Sequence, residues 1–189
     1  VARIPYVDPA TAAPEVREAL EALPPLNIFR LVANAETAFR PFLRFGGALL
    51  SQGELDAKLR ELAILRVAEK TGARYEWVQH AQIALAVGAT EEQVAALERG
   101  DADADVFDSK EQLVLRFATE VIDDVGASEA TFAAAREQFS PRELMELTLS
   151  IGYYMAVARV MLTFDIDLDE ALGYDVLRSA QVRAADQDA

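Results

Sequence analysis

Apolar positions along the chain recur at intervals of three and four residues, the spacing that gives a helix one hydrophobic face. Alternating Val/Ile/Thr runs are absent, as are Asn-Gly and Asp-Gly hairpin turns. Alanine, leucine, glutamate and arginine dominate. The pattern predicts an all-α fold. Residues 1–9 read as an extended arm closed by Pro9. A helix is expected from Thr11 to Leu23, with Pro14 tolerated in its first turn and Pro24-Pro25 stopping it. Leu26 to Ala33 suits a short helix, and Glu36 to Leu50 another, disturbed by Pro41 and by Gly46-Gly47. Phe29, Phe39, Phe42 and Phe45 make this region aromatic, which fits core packing or a pocket lining.

The densest apolar stretch follows. Leu59, Leu62, Ala63, Ile64, Leu65 and Val67 cover more than one face of a helix from Leu55 to Lys70. Such a helix is buried, or sandwiched between its own chain and a partner subunit. Gly72 suits a left-handed C-terminal position, and a second helix runs from Arg74 to Val87, ended by Gly88. Thr90 to Gln93 reads as a capping box opening a helix to Arg99. Asp101 to Asp105 is a polar loop and a candidate boundary between two halves. Asp108 or Ser109 caps a helix to Asp124, ended by Gly126, and Ser128 caps another to Gln138. Ser140-Pro141-Arg142-Glu143 opens a long apolar helix to Phe164, interrupted in its second half only by Arg159. The acidic run Asp165, Asp167, Asp169 and Glu170 reads as a solvated connection. A last helix or frayed tail is expected from Leu172 to Val182, and residues 183–189 as a disordered end.

Composition narrows the function. At 189 residues and 52% hydrophobic content, residues 1–189 fit one domain with a sizeable core. Cysteine is absent, which excludes disulfides, thiolate metal sites and thiol redox chemistry. A net charge of −14 argues against nucleic acid and anionic membranes as partners, although a local arginine can still hold an anion. No uncharged apolar run reaches the roughly 20 residues that span a bilayer, and the N-terminal residues lack a signal-peptide core. A soluble, cytoplasmic protein acting on a small molecule is the expectation. The runs beginning at Asp101 and Asp165 start like calcium loops, but Val106 and Glu170 replace the glycine, and Gln112 and Val176 the closing glutamate. One histidine with scattered carboxylates makes no zinc site, and no phosphate-binding glycine loop is present. Neither metal nor cofactor is expected.

The candidate chemistry lies between Leu59 and Val87. His80 is the chain's one histidine, Glu76 stands one turn before it, and Glu61 sits in the preceding helix. If Gly72 reverses the chain, Glu61 lies about 16 Å from the turn and His80 about 12 Å back along the partner helix, at about 1.5 Å per residue. The two are then within side-chain reach, while Glu76 and His80 share one helix face. A carboxylate can fix the histidine's tautomer, and a second, desolvated carboxyl can stay protonated as a general acid. The same residues also suit a hydrogen-bonded structural histidine, a surface Glu76–His80 pair, and Glu61 paired with a nearby arginine. Arg74, Tyr75 and Trp77 are candidates for the pocket mouth or for an ordinary exposed helix start.

The run LRELAILRVAEKTGARYEWVQHAQIALAVG, preceded by NIFRLVANAETAFRPFLRFGGALL, resembles the carboxymuconolactone decarboxylase family of the alkylhydroperoxidase D-like superfamily. The similarity extends from Leu26 to Phe164. It implies an alkylhydroperoxidase D-like helical domain with a central antiparallel hairpin. It also implies assembly through hydrophobic helices into a homo-oligomer, a dimer, trimer or hexamer. In the superfamily's peroxidase branch a glutamate, a Cys-x-x-Cys pair and a histidine form a thiol site. Glu61 and His80 match the glutamate and histidine, while Ala73 and Glu76 stand at the cysteine positions. Thiol-dependent peroxide reduction is thereby excluded. The decarboxylase branch needs neither thiol nor cofactor, and the resemblance implies a carboxy-lyase acting on a small unsaturated or cyclic carboxylic acid. His80 would donate the proton, with Glu76 and Glu61 orienting it. Two other readings stay open: a different proton-transfer enzyme (isomerase, hydratase or lactone hydrolase), or a non-catalytic helical oligomer that binds a ligand.

Overall fold

A computed structural model describes residues 1–172, and within them every regular element is an α-helix. In chain order these are α1 Pro14–Glu21, α2 Asn27–Val32, α3 Glu36–Ser51, α4 Ala57–Thr71 and α5 Arg74–Ala86. They continue with α6 Glu91–Glu98, α7 Ser109–Asp124, α8 Glu129–Gln138 and α9 Pro141–Phe164. The expected helix beyond Leu172 and the expected disordered end lie outside the described residues.

Local chemistry sets most of the boundaries. Thr90, Asp108 and Ser140 each accept a backbone N–H two or three residues on while the N3 side chain returns to the cap. Gly72 takes the left-handed position at φ 70°, and Ala73 N–H closes onto Ala68 C=O at 2.9 Å. Helix α1 starts three residues later than expected because Asp8 holds residues 10–12 in a turn ahead of Pro14. Helix α3 continues through Pro41 and both glycines without a break. At the end of α7 the left-handed position falls on Val125, φ 69°, and not on Gly126.

Helix α4 is the axis of the molecule. Every residue from Leu59 to Ala68 is buried. The enclosing elements are α5, α7 and α9 of the same chain, so a partner subunit is not needed to explain its apolar faces. One face of α4 joins Leu113, Phe117, Leu147 and Ile151 in a core shared with α7 and α9. The other joins Trp77, Leu97, Phe107 and Leu115. That second cluster crosses the Asp101–Asp105 loop. Gln93 staples the loop further by donating to Val106 C=O and to Glu111, so the loop does not separate two halves.

The acidic run after α9 is docked, in contrast to the expected solvated connection. Asp167 accepts from Ala2 N–H and from the Tyr6 hydroxyl. Asp169 accepts from Asn27 N–H at the start of α2 and from the Tyr75 hydroxyl on α5. Gln79 donates to Glu170 C=O and accepts from Leu172 N–H. These carboxylates meet the free N–H groups of a helix start and two phenols, partners that a composition-based reading cannot see. Helix α9 is long and apolar enough to cross a membrane by length and composition; one face packs on α4, while Met145, Leu149 and Leu162 are exposed.

Candidate active site

Helices α1, α3, α5 and α9 enclose a cavity of about 790 Å³. From α5 it takes Tyr75, Glu76, Gln79, His80 and Ile83, positions that fall on one helical face. Helix α9 adds Tyr153 and Tyr154, and α3 adds Phe42 and Leu43.

The α4–α5 hairpin brings Glu61 and His80 together as the rise per residue predicts. His80 Nδ1 lies 2.7 Å from Glu61 Oε2, and Glu61 is wholly buried. Arg60 Nε donates to the other oxygen at 3.1 Å; its Nη2 is equally close but out of hydrogen-bonding alignment. With Nδ1 engaged, Nε2 is the nitrogen His80 has left for a ligand. The Tyr154 ring stands edge-on to the imidazole at 4.6 Å between centroids. Tyr154 in turn meets Tyr153 at 5.3 Å, and Tyr153 meets Phe42 at 4.8 Å. An aromatic ladder thus connects α3 to His80.

Glu76 does not orient His80. It shares the helix face, but both of its oxygens are buried without a hydrogen-bond partner. Burial, with a smaller contribution from the Glu61 carboxylate, pushes its carboxyl well above the ordinary 4.5. A carboxyl biased toward its neutral form therefore faces the cavity beside a carboxylate-bound histidine. Burial likewise pushes the Tyr153 and Tyr154 hydroxyls up, so both remain phenols.

Residues 36–120 match the carboxymuconolactone decarboxylase family. The matched segment runs from α3 into α7 and contains Glu61, Glu76 and His80. No curated protein matches the chain. A peroxidase-related protein from Ralstonia eutropha, described as an alkylhydroperoxidase core, superposes with a TM-score of 0.78 at 20% identity, covering 96% of this chain and 97% of that one. A peroxidase-related protein from a Silicibacter species gives a TM-score of 0.75 at 17% identity, with coverages of 89% and 92%. A protein of unknown function from Agrobacterium tumefaciens gives 0.66 at 21%, covering 72% and 94%. At these identities the likeness establishes the alkylhydroperoxidase D-like fold.

Within the matched segment, Tyr75 reaches the cavity, although its hydroxyl donates to Asp169. Arg74 and Trp77 do not line it. Arg74 is exposed and paired with Glu98, and Trp77 is buried in the cluster on the other side of α5. At about 100° per residue Tyr75 stands about 100° from Arg74 and about 160° from Trp77, so the three cannot share one wall. Tyr153, Tyr154 and Arg44 are cavity residues that the motif reading did not single out. The signal for the tyrosines was a phenol pair inside an otherwise aliphatic helix, and for Arg44 a cation one turn beyond Arg40 on an aromatic helix. Among the described residues, no cluster of three or more His, Asp or Glu side chains is placed to hold a metal ion.

Proposed function

We propose that the protein is a cofactor-independent proton-transfer enzyme that decarboxylates a small unsaturated or cyclic carboxylic acid. One observation carries this: a histidine held by a buried carboxylate at 2.7 Å shares a cavity wall with a buried, unpartnered carboxyl. In the reaction, the bond from carbon to the leaving carboxylate breaks, and its electrons flow into an adjacent unsaturated carbonyl, leaving an enolate-like oxyanion. Neutral Glu76 donates a hydrogen bond to that oxyanion. His80, as the imidazolium paired with Glu61, then gives its proton to the nucleophilic carbon of that enolate, and solvent restores it. The apolar walls keep water from competing for that proton and strengthen each of these interactions.

The experiment is an assay of the purified protein on carboxymuconolactone and related β,γ-unsaturated acids, measuring CO2 release and, in D2O, deuterium at the enolate carbon that takes up the proton. His80→Ala and Glu76→Gln are expected to lower kcat by about 100-fold or more. Unchanged turnover in His80→Ala removes the histidine from the mechanism. Deuterium exchange or a shifted double bond without CO2 assigns the site to an isomerase.

A further inference from the structure

A chain with 32 acidic and 18 basic residues must supply a local cation if it is to gather an anionic substrate. The cavity has two, Arg40 and Arg44, one turn apart on α3. Arg40 is committed elsewhere: it donates to Glu15 C=O and pairs with Glu18, tying α3 to α1. Arg44 is exposed at the cavity and has no ion pair or hydrogen bond among the described residues. Between α3 and His80 stand Phe42, Tyr153 and Tyr154 in ring-to-ring contact. Ile28, Phe29, Leu43, Leu50 and Val157 add apolar wall on either side. The cavity lining therefore combines an arginine without a partner among the described residues, an apolar and aromatic wall, and an unpartnered acid beside a histidine.

We propose that Arg44 is the carboxylate anchor of this site. The ligand it selects is an amphipathic acid whose carboxylate sits on the Arg44 guanidinium and whose apolar body lies along the Phe42–Tyr153 wall. The anchored carboxylate is a spectator, and the reacting centre is the part of the ligand that meets Glu76 and His80. A planar guanidinium suits this task, since it can take both carboxylate oxygens at once. The inference rests on the cavity being the substrate site, but not on which reaction occurs there.

Equilibrium binding tests it without turnover. Octanoate, cyclohexylacetate and 4-phenylbutyrate, together with the primary alcohols of the same skeletons, are titrated into the intact protein by calorimetry. The acids are expected to bind more tightly than the alcohols. Arg44→Ala should weaken acid binding by about tenfold while leaving alcohol binding unchanged. Arg159→Ala removes the same charge from an exposed site outside the cavity and should change neither. Equal affinity for acids and alcohols, equal losses in the two arginine variants, or no saturable binding of any acid up to about 10 mM overturns the anchor. If Arg44-dependent binding persists while no acid is turned over, the proposed reaction falls and the anchor stands. If turnover occurs with the same KM in Arg44→Ala, the anchor falls and the reaction stands.

Discussion

His80 Nδ1 and Glu61 Oε2 meet at 2.7 Å across two helices joined by one glycine turn, and Arg60 holds the remaining Glu61 oxygen. The carboxylate is fully buried, so its charge is supported by these two partners and not by water. Fixing the ring from the Nδ1 side directs Nε2 toward the cavity, and it separates the roles of two glutamates that the motif alone leaves equivalent.

Breaking this arrangement from one side should cost more than removing it whole. Glu61→Leu leaves the Arg60 guanidinium buried without its partner and is expected to lower unfolding free energy by about 3–5 kcal/mol. Arg60→Met with Glu61→Leu should recover much of that loss, since neither variant side chain needs a polar partner. Urea denaturation of the three proteins checks it; a double variant no more stable than the single one would show that the charges are not coupled.

Glu76 should make the protein less stable as pH rises. Its folded carboxyl is held well above 4.5, mainly by burial. Near and below that pH the group is protonated in both states, and its contribution is fully present. Above it the unfolded chain releases the proton while the folded chain keeps it. The contribution then falls by about 1.4 kcal/mol per pH unit until the folded group titrates. Glu76→Gln abolishes this dependence, so its stability relative to wild type should grow over the range in which pH rises above the ordinary carboxyl value of 4.5. Urea midpoints of both proteins across that range supply the comparison, and a constant difference would contradict a protonated Glu76.

Two adjacent glycines on α3 should respond oppositely to alanine. A Cβ at Gly46 would overlap the Tyr153 hydroxyl and ring, and that ring is wedged between Phe42, Phe45 and Tyr154. Gly46→Ala is expected to destabilise by about 1–3 kcal/mol and to disturb the ladder leading to His80. Gly47 meets no atom within 4 Å, so Gly47→Ala should stabilise by roughly 0.5–1 kcal/mol through helix propensity. Thermal melts decide; equal shifts in the two would mean that Tyr153 moves aside freely.

Asp169 should matter where its acidic neighbour does not. Asp169→Ala removes the acceptor of the Tyr75 hydroxyl and of Asn27 N–H, at a cost of about 1–2 kcal/mol. Glu170→Ala alters an exposed side chain whose backbone alone contacts Gln79, and should stay within about 0.5 kcal/mol of wild type. Denaturation midpoints check both, and matching losses would return the segment to a generic acidic connection.

What the sequence determined by itself is what depends on near neighbours in the chain. The capping boxes at Thr90 and Ser140 are three-residue chemistry, and Gly72 at φ 70° needs only the missing Cβ. The meeting of Glu61 and His80 was also legible, because a tight turn and a constant rise per residue set the two at nearly the same height. The tertiary structure decided which partner each polar group finds. Glu76 and His80 are both one turn apart and on one face, yet the Nδ1 bond goes to Glu61 and leaves Glu76 bare. Arg74, Tyr75 and Trp77 lie within one turn of α5, yet the packed structure sends one to solvent, one to the cavity and one to the opposite core. Asp167 and Asp169 have the composition of a solvated loop whether or not a helix start and two tyrosines lie within reach. Burial and hydrogen-bond satisfaction are set by groups distant in sequence, so spacing along the chain can nominate those residues but only the packed structure assigns their partners.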